Sequence, residues 1–154
     1  MHGLMMDTPL LISSIAEHAE KFHGDREIVS VTMDNPRHRY TIREAVERSR
    51  KLANALGKLG LATGDRLATI AWNDYRHLEI YYGVSGSGYV SHTINPRLFP
   101  EQLVFIINHA EDRWIFTDLM FVPLLEKLLP QIPKVEGFIV MTDEANMPET
   151  SLPN

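Results

Sequence analysis

Two runs of polar and aromatic residues have the composition to hold a ligand. Trp72-Asn73-Asp74-Tyr75-Arg76-His77 closes a short apolar stretch, and His92-Thr93-Ile94-Asn95-Pro96-Arg97-Leu98 closes the next. Open α/β sheets bind ligands just outside the carboxyl ends of their strands, where such aromatic faces, amides and guanidinium groups would stand. Each run also has a plain structural use. Asn73 is a residue type that caps helices, and Asn95-Pro96 is a turn dipeptide. Capping and turning account for both runs without a ligand. Lining a crevice is the alternative, and residue types alone leave the two open.

Other chemistries lack their patterns. The chain has no cysteine, which removes disulfides, thiolate zinc sites and cysteine nucleophiles. No Gly-x-x-x-x-Gly-Lys-Ser/Thr loop and no Gly-x-Ser-x-Gly elbow occurs. Gly83-Val84-Ser85-Gly86-Ser87-Gly88 has the wrong glycine order for a dinucleotide loop, and it precedes a strand instead of following one. Its small residues read as close packing and a turn. His18, His23, His38, His77, His92 and His109 are scattered, without the paired spacing of a metal site, and His2 lies at the terminus. Tyr81, Tyr82, Phe99, Phe105 and Phe121 read as core or interface. The residues therefore nominate no catalytic group, no metal ligand and no assigned cofactor contact.

The elements that would position the two runs follow from periodicity. Residues 10–21 have helical spacing after Thr8-Pro9. Residues 27–33 and 39–41 read as a hairpin turning at Asp34-Asn35-Pro36. Thr41-Ile42-Arg43-Glu44 has the form of a capping box, opening a helix that Gly60 ends. Strands over 67–72, 88–94, 113–117 and 137–142 then alternate with helices over 74–85, from Pro100, and over 121–129. The strands are continuous apolar runs, which suits burial on both faces. The pattern predicts an α/β fold: a three-layer open sheet, mostly parallel, helices on both faces, after an N-terminal helix and hairpin. The segment 143–154, with Pro148 and Pro153, reads as a linker.

Composition sets the class. With 154 residues, 44% hydrophobic and 23% charged, the chain suits one domain or one subdomain. A net charge of -5 and basic residues interrupted by Glu44 and Glu47 argue against a nucleic-acid partner. No basic leader and no run near the roughly 20 apolar residues of a membrane span occurs, so a cytoplasmic location is expected.

Taken together, several phrases resemble the adenylate-forming superfamily of acyl-CoA synthetases, luciferases and adenylation domains. Arg39-Tyr40-Thr41-Ile42-Arg43-Glu44-Ala45 is similar to its first core motif, and the run from Gly86 to Leu98 to its second. Gly64-Asp65-Arg66-Leu67-Ala68 is similar to its "GDRVA" strand. Ile107-Asn108-His109-Ala110-Glu111-Asp112-Arg113, with the runs from Arg76 to Gly88 and from His92 to Leu98, resembles the branch of medium- and long-chain fatty acyl-CoA ligases, and the opening phrase from Met5 to Ser14 is similar to that of 3-methylmercaptopropionyl-CoA ligases.

The resemblance implies a ligase that uses ATP, Mg2+ and CoA: carboxylate and ATP give acyl-adenylate and pyrophosphate, then CoA gives acyl-CoA and AMP. It implies a medium- or long-chain fatty acid or 3-methylmercaptopropionate as the acid. The family's phosphate loop ending in Pro-Lys-Gly, its Tyr-Gly-x-Thr-Glu segment and its carboxyl-terminal lysine are absent from this sequence. The expectation is therefore an N-terminal portion of the larger adenylate-forming fold, inactive alone and without a tightly bound cofactor. It would comprise an arm over 1–28 with a possible homodimer contact, an α/β subdomain over 29–142 and a linker over 143–154. Its partners would be the remainder of the ligase and a second copy. Missing neighbours imply an exposed apolar patch and self-association. The alternative is a stand-alone, non-enzymatic α/β module that binds a nucleotide or a protein. A response-regulator-like domain lacks support, since Asp65, Asp74 and Asp112 are not grouped.

Overall fold

A computed structural model describes residues 3, 6–32 and 37–153. The expected Asp34-Asn35-Pro36 turn lies outside the described residues. Helix α1 spans Ile12–His23. Strands β1 (Glu27–Ser30) and β2 (His38–Thr41) pair antiparallel, Ile28 opposite Tyr40.

Helix α2 (Ile42–Leu56) starts at the expected capping box. Thr41 Oγ1 accepts from the Glu44 amide at 3.2 Å, and Glu44 Oε2 accepts from the Thr41 amide at 2.7 Å. The first-turn donors are thus satisfied from both ends. The helix stops earlier than expected. Gly57, still right-handed, follows its last residue, and Gly60 takes a left-handed φ of 67° only after a turn.

Four parallel strands follow: β3 (Arg66–Ile70), β4 (Val90–Thr93), β5 (Trp114–Thr117) and β6 (Gly137–Val140), in spatial order β4-β3-β5-β6. Helices α3 (Tyr75–Ser85), α4 (Pro100–Ala110) and α5 (Val122–Leu128) connect them. Ala68 lies opposite both His92 and Ile115, so β3 is paired on each side. Its alternate residues serve different cores. Ala68 and Ile70 join Leu103, Ile107, Leu125 and Leu128 beneath α4 and α5. Leu67 and Ala71 join Leu56, Ile80 and Val84 beneath α2 and α3. A strand buried on both faces needs apolar residues at successive positions, which is why its sequence does not alternate. The architecture is the expected open α/β sheet with helices on both faces.

Close packing of α2 on α3 explains the glycine-rich end of α3. A Cβ on Gly83 would stand 2.9 Å from Leu52 Cδ2 and 3.0 Å from the Ser49 carbonyl oxygen. Gly83 is thus a packing residue, as the sequence suggested.

The segment expected as a linker folds back on the sheet. Phe138 N–H donates to the Pro153 carbonyl at 2.8 Å, and Leu152 is buried in the core beneath α5. Glu126 accepts from the Ser151 amide at 2.8 Å and the Thr150 hydroxyl at 2.9 Å. Among the described residues, no helix is long and apolar enough to cross a membrane.

These contacts rank two substitutions. Leu103→Ala removes a fully buried side chain and costs about 2–5 kcal/mol. Thr41→Ala removes one cap and costs about 1 kcal/mol. Urea unfolding of the two variants checks the order; equal midpoints would contradict it.

Candidate functional site

From β3 the chain crosses to β4 on one side, then returns past β3 to β5 on the other. The connections after β3 and β5 therefore diverge, and a crevice opens between the carboxyl ends of these strands. Such switch points are where open α/β sheets take ligands. Here the crevice measures about 650 Å3. Trp72, Asp74 and Arg76 border it after β3, and Asp118, Leu119 and Met120 after β5. Arg97, after β4, and Val31 and Thr32, after β1, close its sides.

Trp72 is held on every polar edge. Its amide donates to Asp118 Oδ2 at 2.8 Å, and its indole Nε1–H donates to Met120 Sδ at 2.8 Å. Its carbonyl oxygen lies 3.2 Å from His77 Nδ1, while His77 Nε2 lies 2.9 Å from Thr69 Oγ1. A carbonyl only accepts, so Nδ1 carries the proton and Nε2 accepts from the threonine hydroxyl. Burial lowers the His77 pKa, against the opposing pull of the Trp72 carbonyl, and the imidazole is neutral. The Arg97 guanidinium stands 5.2 Å from the Trp72 ring centroid, a cation–π contact.

The carboxylates here are engaged in holding backbone. Asp74 Oδ1 accepts from the Arg76 amide at 2.8 Å and the His77 amide at 3.1 Å, capping α3. Asp118 is buried, and desolvation raises its pKa although the Trp72 amide opposes the shift. Among the described residues, no three His, Asp or Glu side chains converge as metal ligands. The crevice does not fit a Mg2+ site. Its lining sets Trp72 and Met120 beside two arginines, Arg76 and Arg97, and two carboxylates, Asp74 and Asp118.

The two polar runs divide. Trp72, Asp74 and Arg76 of the first reach the crevice. Asn73 does not cap α3, because Asp74 takes that position, and it lies in a separate hollow beside Val29 and Tyr81. In the second run only Arg97 reaches the crevice. Asn95 Oδ1 accepts from the Arg97 amide at 3.0 Å, so Asn95 makes the turn and is exposed. His92 faces elsewhere, its Nδ1 2.9 Å from each oxygen of buried Asp112. Of the five aromatics read as core or interface, Phe121 is buried, while Tyr81, Phe99 and Phe105 are exposed. Sequence reasoning missed Asp118 and Met120. Their signal was position, directly beyond an apolar strand, and it becomes readable once the strand order is known.

An open parallel sheet with a switch-point crevice defines a class of α/β protein that takes ligands at the carboxyl ends of its strands. Residues 15–154 match the AMP-binding enzyme family, and the chain belongs to that family. It is 53% identical over 141 residues to a 3-methylmercaptopropionyl-CoA ligase of Ruegeria lacuscaerulensis, covering 92% of this chain and 26% of that protein. It is 48% identical over 153 residues to a medium-chain-fatty-acid–CoA ligase of Ectopseudomonas oleovorans, covering 99% of this chain and 28% of that one. The chain thus spans about a quarter of the length of these relatives. Its fold is that of an anthranilate CoA ligase solved with anthranoyl-AMP, at a TM-score of 0.76 and 22% identity, over 88% of this chain and 26% of that one.

Asp118 gives the site a pH signature. Its raised pKa means that its share of stability is full below the ordinary value of 3.8 and is lost as pH rises through the raised value. Asp118→Asn keeps an acceptor for the Trp72 amide and removes the charge. The variant's melting temperature relative to wild type is expected to be higher at pH 7 than at pH 4. A difference independent of pH contradicts the assignment.

Proposed function

We propose that this chain is the amino-terminal α/β subdomain of an ATP-dependent acyl-CoA ligase, acting on a medium- or long-chain fatty acid or on 3-methylmercaptopropionate. In that reaction a carboxylate oxygen attacks the α-phosphorus of ATP and pyrophosphate leaves. The CoA thiolate then attacks the acyl carbon and AMP leaves. The carrying observation is the 53% identity to a 3-methylmercaptopropionyl-CoA ligase along nearly the whole chain. Geometry supports it through the crevice between β3 and β5. There the Trp72 ring, with the Arg97 guanidinium over its face, and Arg76 are the groups we expect to meet a nucleotide.

This subdomain binds and orients; it carries no catalytic group. ATP, Mg2+ and CoA serve the complete ligase, and the metal ligands come from outside the described residues. Leu11, just before α1, and Ile12, Ile15 and Phe22 on it are exposed, which supports a contact between copies through the arm over 1–28.

The test is synthesis of acyl-CoA from octanoate or 3-methylmercaptopropionate, comparing this chain with the reading frame carried to its stop codon. Only the extended protein is expected to release pyrophosphate and form thioester. In it, Arg97→Ala weakens CoA or ATP binding about tenfold, the loss of one charged hydrogen bond. Micromolar binding of ATP or CoA by this chain alone, with no synthesis by the extended one, would make it a stand-alone binding module instead.

A further inference from the structure

Strand β6 is the last of its sheet, with β5 on one side only. Its backbone groups alternate between the two sides. Met141 N–H donates to the Thr117 carbonyl at 2.8 Å, which turns that series of amides toward β5. The amides of Phe138 and Val140 therefore face the open edge. Unpaired backbone groups along such an edge are a template for another strand. Phe138 N–H already has an acceptor there, the Pro153 carbonyl at 2.8 Å. Among the described residues, Val140 N–H has none on that edge.

Two observations fix the direction of a chain that continues this pairing. The polypeptide leaves the carboxyl end of β6 at Met141, and at Pro153 it is back beside Phe138, near the start of the strand. From that level only the direction of β6 itself leads along the rest of the edge. Proline supplies the second observation. Residues bonded across an antiparallel pair exchange two hydrogen bonds, and Pro153 has no N–H to give in return. A parallel ladder asks for none, because Phe138 donates to one residue and accepts from the residue two further on. Residues 141–152 supply the dozen that a parallel crossover needs. Leu152 lies in the same core as Leu125 and Leu128 of α5, so this crossover passes over the same face as α5. It repeats the step from β5 to β6, outward and over one face, and keeps the same hand.

We propose that the polypeptide following Asn154 adds to the free edge of β6 as a short fifth parallel strand, with Pro153 as its first rung. The first residue after Asn154 donates to the Phe138 carbonyl and accepts from Val140 N–H. The inference rests on the ligase reading, because relatives about four times longer supply the continuing chain. A proline suits the first position of a strand, where its missing donor breaks no ladder bond. The added strand ends at the carboxyl edge of the sheet, on the side of Met141, which borders the crevice.

Amide hydrogen exchange of Val140, resolved by fragmentation mass spectrometry, is compared between this chain and the extended protein. Exchange about tenfold slower in the extended protein is expected, the effect of one added backbone hydrogen bond. Equal rates overturn the proposal. Burial alone also slows exchange, so the first residue after Asn154 is replaced by proline in the extended protein. That removes the donor to Phe138, and the slowing is expected to disappear. Slowing that survives the proline comes from burial and overturns the strand. Protection in this chain alone that grows with its concentration assigns the edge to a second copy, and overturns it too. Acyl-CoA synthesis by the same extended protein is read independently. Synthesis with Val140 unprotected sinks the strand and leaves the ligase reading standing; proline-sensitive protection without synthesis keeps the strand and sinks the ligase reading.

Discussion

The grip on the Trp72 backbone organises the carboxyl end of the sheet. Its amide is tied to Asp118 beyond β5, and its carbonyl to His77 on α3. The first bond joins the connections that leave β3 and β5 in different directions, and the second fixes the start of α3 against the same residue. A buried carboxylate is costly to desolvate, and a charge-assisted bond to a backbone amide offsets part of that cost. His77 contributes by being neutral, so it bridges Thr69 and Trp72 without adding a second buried charge. The indole then has one orientation, with Met120 at its edge and Arg97 over its face.

The opposite end of the sheet is built differently. Arg113 donates twice to Glu136 at 2.7 Å, and pairs with Asp65 as well, so the starts of β3, β5 and β6 are bound by one guanidinium. Arg66 and Lys134 meet at Glu111 beside it. These pairs are largely solvent-exposed and add little stability each, but they fix strand register where no ligand is needed. Charge is thus internally spent at the amino end, while at the carboxyl end Arg97 is placed over an aromatic ring instead of a carboxylate. That asymmetry is what a scaffold needs if binding is confined to one edge.

Much of this was legible from residues. Thr41 and Glu44 announced the start of α2, and the uninterrupted apolar run after Arg66 announced a strand buried on both sides. The crevice was half legible. Trp72 and Arg97 were found as members of two polar runs, but their meeting depends on β3 and β4 being neighbours. Asp118 was silent, because its role comes from β5 lying on the other side of β3, a long-range fact with no local pattern. Asn73 misled for a local reason: Asp74 beside it is an equally good cap and stands one residue nearer the helix. The tail misled because a proline-bearing segment looks loose until Glu126 is seen to gather the amides and hydroxyls of Thr150 and Ser151.

The proposed ligase role has nucleotide meeting the crevice beside Trp72. Trp114→Phe leaves Trp72 as the sole tryptophan of these 154 residues, so, once any tryptophan of the remaining polypeptide is also replaced, its fluorescence can be followed as CoA and ATP are titrated into the extended protein. A saturable change is expected, which Arg97→Ala shifts to about tenfold higher ligand concentration, as for one lost charged contact. Emission that stays constant while the same protein synthesises acyl-CoA would show that the nucleotides bind elsewhere.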